Sequence, residues 1–176
     1  MGYCYWLIII NIVININQML FNYHFYQLIV KSIAQGLRQF VVLTGTDTLS
    51  YLAAFLAECF AGSHISIVVT GAMRPLLDSN VLIDYRIDAQ SDATQNLFDA
   101  CKLARHGEPG VRVCFSGEDW PAQTVQKIHS HDLMAFVGHH RAGYPANSYT
   151  AKITQAQHQL WLEDRFSELP QVFDSL

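Results

Sequence analysis

The sequence predicts an α/β fold, a parallel sheet in a three-layer, Rossmann-like domain. Three observations predict it. Short apolar runs of β-formers appear at residues 40–43 (FVVL), 65–70 (ISIVVT) and 111–115 (VRVCF). Two stripes of apolar residues at helical spacing lie between them, and each run ends in a glycine-bearing polar turn. Strand, helix, strand, loop, helix, strand is the alternation that sets parallel strands side by side beneath crossover helices.

Each element has its own signal. After FVVL comes TGTDT, and then Leu49, Leu52, Ala53, Leu56 and Phe60 stand at i, i+3, i+4, i+7 and i+11, one face of a helix. Gly62 ends that stripe as a C-terminal glycine does. ISIVVT runs straight into Gly71, and a polar loop fills residues 73–91. Leu97, Cys101 and Ala104 mark a second helix over about residues 92–105, and VRVCF closes the pattern. Beyond Phe115 the sequence predicts a turn at residues 119–121 and a mixed segment ending at residues 134–136. A poorly patterned polar tail follows.

Hydrophobic residues make up 51% of the 176 and charged residues 15%, enough apolar surface for a sizeable core. The net charge of -4 and the lack of a Lys/Arg cluster argue against nucleic-acid binding, which needs a basic face. Cys4, Cys59, Cys101 and Cys114 are scattered and form no CxxC pair. They read as buried free thiols in a reducing, cytoplasmic setting. The Ile-rich run LIIINIVINI (residues 7–16) is too short to span a membrane, for which about 20 apolar residues are needed. It also lacks a signal peptide's basic start and small-residue cleavage site. Two readings of it stay open: a buried strand, or sequence read from outside the original frame or start.

In an open parallel sheet, ligands bind beyond the carboxyl ends of the strands. Three loops leave such ends: TGTDT, TGAMRP and SGEDWPAQTVQK. A helix cap explains Asp47 or Thr48, and Thr48 can cap the helix that follows, but a cap does not explain the whole hydroxyl-rich set. Gly45 would let a ligand approach the backbone. Read alone, Lys127 is a solvated surface lysine; its functional reading is a base that accepts a hydroxyl proton. His129, His131, His139 and His140 match no metal-binding pattern, so no metal is expected. No GxGxxG or P-loop appears, so no nucleotide cofactor is signalled.

Together, TGTDTL, TGAMRP, the Ser91-Asp92…Asn96-Leu97 element and TVQKIHSHDLMAF resemble the L-asparaginase/glutaminase family. That family carries HGTDT, GAMRP, SADGPxNL and DVTKTHTxxxxAF in this order within its amino-terminal catalytic domain. The match covers residues 36–136, a little over half the chain. The resemblance implies hydrolysis of a side-chain amide, from L-asparagine or L-glutamine, to the acid and ammonia, without a cofactor. It further implies that Lys127 is the base and Thr46 the nucleophile or water-positioner. Asp47 would hold the substrate's α-amino group or orient its neighbours, with Gly45, Ala72 and Gln18 lining the pocket.

The sequence departs from the family's pattern in several places. No TGGTI motif supplies a second threonine, and Ile16 stands where a substrate-contacting serine is expected. Thr44 replaces the histidine before GTDT, and the loop after TGAMRP is longer than in many members. The resulting expectation is a truncated asparaginase, weakly active or inactive alone. Its parts would be an atypical segment (1–35), an incomplete amino-terminal domain core (36–146) and a tail (147–176) with no carboxy-terminal domain. The alternative is a non-catalytic module that binds an amino acid or a partner on the same fold. The expected partners are a small-molecule substrate and a second copy of the chain, with no nucleic acid and no membrane.

Overall fold

Four strands that read as continuous apolar runs need cover on both faces, and the arrangement supplies it. The computed structural model describes residues 7–10, 18–77, 86–106 and 108–140, with side chains described from Asn22 onward. The element order is β1 (Leu7–Ile10), α1 (Gln18–Ala34), β2 (Gln39–Leu43), α2 (Leu49–Cys59), β3 (Ser66–Thr70), α3 (Ala93–His106), β4 (Gly110–Phe115) and β5 (Glu118–Pro121). A 3-10 turn (Ala122–Thr124) leads to a small antiparallel pair, β6 (Gln126–Lys127) and β7 (Phe136–Val137). The five-stranded sheet has the order β1-β2-β3-β4-β5, parallel through β4, with β5 antiparallel to it. The α/β class with a mostly parallel sheet is as the sequence predicts.

Alternation along the strands divides the core in two. Phe40 and Val42 of β2, Ile67 and Val69 of β3, and Val113 and Phe115 of β4 face α1 and α2. Val41, Val68 and Cys114 face the opposite way, against Ala100 and Ala104 of α3. On α2 the buried side chains include Leu49, Leu52, Ala53 and Leu56, the predicted stripe. Leu52 and Leu56 are wholly buried. Truncating either to alanine would cost about 2–5 kcal/mol through lost transfer energy and the cavity left behind.

The layering has a consequence for handedness. Every step from β1 to β4 moves the same way across the sheet. The helices α1 and α2 pass on one face and α3 on the other. Crossovers that step in one direction but pass on opposite faces have opposite hands. The β3–α3–β4 crossover therefore has the opposite hand to the two before it, a departure from the uniform hand that parallel crossovers ordinarily share. This placement brings the first turn of α3 beside the carboxyl ends of β3 and β4, opposite the helix that follows TGTDT.

The amino-terminal region takes one of its two expected forms where it is described. Residues 7–10 are a strand, with Leu7 opposite Phe40 and Ile10 opposite Leu43 in parallel register. Residues 11–17 lie outside the described residues, as does the predicted tail at 147–176. Helix α1 is an element that the sequence reading did not anticipate. Its Phe25, Tyr26, Ile29 and Ile33 join the core, and Tyr26 lies against Phe60 at the end of α2, ring centroids 5.7 Å apart.

The turn predicted at residues 119–121 is a correction. Those residues lie in β5, with Trp120 opposite Val113, and the reversal sits earlier, at Ser116 and Gly117. Both have positive φ, 51° and 81°. Phe115 pairs with Glu118 across this two-residue loop, the geometry whose twist suits a hairpin. The Ser116-Gly117 dipeptide is the sequence signal for this reversal. Pro121 fits because β5 meets the rest of the sheet only through β4 among the described residues. Arg112 on β4 pairs with Asp119 on β5, its Nε donating to Oδ2 at 2.7 Å.

Cys114 shows how dry the α3 face is. Burial, aided by the carboxylates of Asp99 and Asp119 and opposed by Arg112, pushes its thiol up to about 12. At pH 8 only about one molecule in ten thousand then carries the reactive thiolate. Iodoacetamide at pH 8 should therefore leave Cys114 unmodified in the folded chain and label it after unfolding in urea, as read by peptide mass mapping. Labelling of Cys114 under native conditions would show that this face of the sheet opens.

Candidate active site

The loops after β2 and β3 are stitched together where they leave the sheet. Thr44 donates its backbone N–H to Thr70 O at 3.0 Å, continuing the β2–β3 pairing one residue past the strand. Gly71 follows at once. A Cβ there would stand 2.4 Å from the carbonyl oxygen of Thr44, so only glycine fits beneath the TGTDT loop. Gly45 differs: a Cβ would meet nothing within 4 Å, and the residue is exposed. Packing within the described residues therefore does not require glycine at position 45.

The hydroxyls of the loop are occupied in an order that the sequence did not reveal. Thr48 holds the N-cap position of α2, but its side chain makes no capping bond to the helix. Its Oγ1 donates instead to Gly45 O at 3.1 Å and lies 3.1 Å from the Thr44 hydroxyl. The expectation that Thr48 caps α2 through its side chain is thus corrected. The hydroxyl is spent on closing the loop, with Thr44 buried behind it. Thr46 and Asp47 form the outer turn of this closed loop.

Lys127 reaches that turn from 80 residues away. Its Nζ donates to Thr46 Oγ1 at 2.9 Å and to Asp47 Oδ1 at 2.7 Å. The lysine side chain is 17% exposed, whereas that of Asp47 is 92% exposed. The ammonium end is thus drawn down into the site while the carboxylate remains open to solvent. The reading of Lys127 as a solvated surface lysine does not describe this arrangement.

Several contacts fix the lysine. Lys127 on β6 sits opposite Phe136 on β7, and the Phe136 ring lies 4.8 Å from that of Phe115 at the end of β4. The 3-10 turn before β6 packs on α2, the helix that TGTDT opens. At the far end of the hairpin, a Cβ on Gly138 would fall within 2.4–2.7 Å of three Trp120 side-chain atoms.

The second loop, TGAMRP, is held by α3. The Asp92 carboxylate accepts the backbone N–H groups of Met73 (3.0 Å) and Arg74 (2.9 Å). Ser91 Oγ donates to Arg74 O, and the Arg74 guanidinium donates back to Gln90. These bonds set the backbone that follows Ala72, which is half-buried. Gln18 is the first residue of α1, and its side chain lies outside the described residues. Of the six residues singled out, Thr46, Asp47 and Lys127 are in direct contact, Gly45 belongs to their loop, and Ala72 lies in the adjoining one. His129, His131, His139 and His140 are all exposed.

This arrangement places a hydroxyl, an amine and a carboxylate at the carboxyl edge of a parallel sheet, where Lys127 is within reach of the Thr46 proton. Comparison with known proteins points the same way. An L-asparaginase from Thermococcus kodakarensis is 36% identical over 96 residues, covering 54% of this chain and 26% of the relative. A probable L-asparaginase from Deinococcus radiodurans is 32% identical over 121 residues, covering 66% and 34%. The crystal structure of a probable cytoplasmic L-asparaginase from Campylobacter jejuni superposes with a TM-score of 0.56 at 28% identity, covering 66% of this chain and 35% of that one. The chain thus spans about a quarter to a third of the length of these relatives. The family model of the asparaginase N-terminal domain matches residues 15–160, and the chain belongs to that family.

Proposed function

We propose that the site at Thr46, Asp47 and Lys127 is built for L-asparaginase-type amide hydrolysis, releasing ammonia from the side chain of L-asparagine or L-glutamine. The observation that carries this reading is the Lys127 amine, held within hydrogen-bonding distance of both the Thr46 hydroxyl and the Asp47 carboxylate. In the reaction, Lys127 in its uncharged form takes the proton from the Thr46 hydroxyl as that oxygen attacks the amide carbon. The proton is then delivered to the departing nitrogen, the C–N bond breaks, and water cleaves the resulting ester to give the acid and restore the hydroxyl. Asp47, exposed beside them, offers a carboxylate to the substrate's α-amino group.

Three further features support the reading. Gly45 leaves open space on its side-chain direction, so a substrate can approach the loop backbone. The acidic net charge suits a small-molecule substrate better than a nucleic acid. Cys101 and Cys114 are free thiols, which favours a reducing compartment such as the cytoplasm. No helix among the described residues is long and apolar enough to cross a membrane.

The deciding experiment is ammonia release from L-asparagine and L-glutamine by the purified chain, run beside calorimetric titration with L-aspartate. Turnover dependent on Thr46 supports the amidohydrolase reading. Aspartate binding with no ammonia from either amide would replace it with an amino-acid-binding module, and neither signal would end both.

A further inference from the structure

Asn96 is buried at 1% exposure in the first turn of α3, where a helix facing a sheet would ordinarily present an apolar side chain. Its amide is occupied on every side. Nδ2 donates to Gly71 O at 2.9 Å and to Asp92 Oδ2 at 3.0 Å, and Oδ1 accepts the backbone N–H of Ser116 at 3.0 Å. The reversed amide would set its oxygen against a carbonyl and a carboxylate, so the partners fix its orientation. One side chain therefore fastens the carboxyl end of β3 to the turn after β4.

Ser116 carries the connection onward. Its φ of 51° is a conformation that a non-glycine residue adopts at a cost, and glycine would hold this turn more easily. What serine contributes is its hydroxyl, which donates to Leu133 O at 2.6 Å. Leu133 lies two residues before Ala135, whose carbonyl accepts the N–H groups of Ile128 (2.8 Å) and His129 (3.3 Å), the residues following Lys127. An unbroken run of hydrogen-bonded groups thus leads from Gly71 through Asn96 and Ser116 to the segment that closes the Lys127 hairpin.

We propose that Ser116, oriented by Asn96, is a positioning residue for Lys127: its hydroxyl sets the 128–135 loop so that the lysine reaches Thr46 and Asp47. This rests on the functional reading above only for its importance to turnover; the geometric claim stands separately. Serine is kept at a strained φ because the hydroxyl is needed there. Stability and site geometry should consequently separate on substitution.

The test is Ser116→Gly in the full chain, with Ser116→Ala beside it. Acetic anhydride labelling of each lysine, read by mass spectrometry, reports access to Lys127 relative to the exposed Lys31 and Lys102. Both variants should label Lys127 about fivefold faster than the unsubstituted chain, the population change expected for one hydrogen bond's net worth. Lys31 and Lys102 should not change. Ser116→Gly should unfold at the same urea concentration as the unsubstituted chain or a higher one, so general loosening cannot account for its labelling. Unchanged Lys127 labelling in Ser116→Gly overturns the proposal. Ammonia release separates the two readings: if Lys127→Ala abolishes it and Ser116→Gly leaves both rate and labelling intact, the positioning claim fails alone. If labelling changes as expected and Lys127→Ala releases ammonia normally, the catalytic reading fails alone.

Discussion

Lys127→Ala is expected to lower ammonia release from L-asparagine by about a thousandfold, the range in which positioned acid–base groups contribute. The amine donates to both Thr46 and Asp47. The chain should remain folded, because the ion pair lost has an Asp47 side chain 92% exposed, and exposed pairs contribute little to stability. Lys127→Arg sharpens the result. Arginine keeps a positive charge beside Asp47 but does not surrender its proton, so it cannot serve as a base. Loss of rate in both variants, with unchanged circular dichroism, identifies proton transfer as the lysine's task. Full activity in the arginine variant would mean that only charge is needed and would remove Lys127 as the base.

Gly71→Ala is expected to cost about 3 kcal/mol of stability, at the upper end for forcing a methyl group into a packed site. The new Cβ would stand 2.4 Å from Thr44 O and 3.4 Å from Leu49 Cδ1. The first contact is with backbone, which cannot rotate away as a side-chain tip would. Relief requires the Thr44 carbonyl to move, and Thr44 also donates to Thr70 O and adjoins the Thr48 hydroxyl that closes the loop. The urea midpoint should therefore fall together with whatever activity Thr46 supports. Gly45→Ala is the control, since its Cβ enters open space. An unchanged urea midpoint in Gly71→Ala would show that the two loops are not in contact as described.

The parts of the fold governed by local apolar pattern were legible in the sequence. β2, β3, β4 and α2 follow from runs and stripes that need no distant partner to be recognised, and α3 was placed within a residue at each end. The miss at α1 is instructive because its pattern was present. Asn22, Phe25, Tyr26, Ile29 and Ile33 are buried at i, i+3, i+4, i+7 and i+11, the same spacing as in α2. Asn22 opens that stripe, and apolar residues such as Leu28 and Val30 flank it, so the pattern reads as undirected hydrophobicity.

The candidate site divides along the same line. Thr46 and Asp47 stood out because too many polar groups crowded one turn. Lys127 was indistinguishable from a surface lysine until the motif order singled it out, since nothing within several residues of it encodes a partner 80 positions away. Asn96 and Ser116 were harder still. An asparagine in a helix and a serine in a turn are ordinary residues, and their significance lies in a contact made across 20 positions of sequence. Thr48 illustrates the opposite error: its position marks a cap, but a neighbouring hydroxyl competed successfully for its oxygen.

The separation of Thr46 and Lys127 also bears on the protein's synthesis. A growing chain that has completed β2 and α2 already displays the hydroxyl-rich turn, yet the amine arrives only with β6, and its partner strand β7 only with Phe136. Translation thus makes the hydroxyl first and the amine that meets it last. A polypeptide released before that point would carry the turn with Thr46 and Asp47 lacking their contact to Lys127.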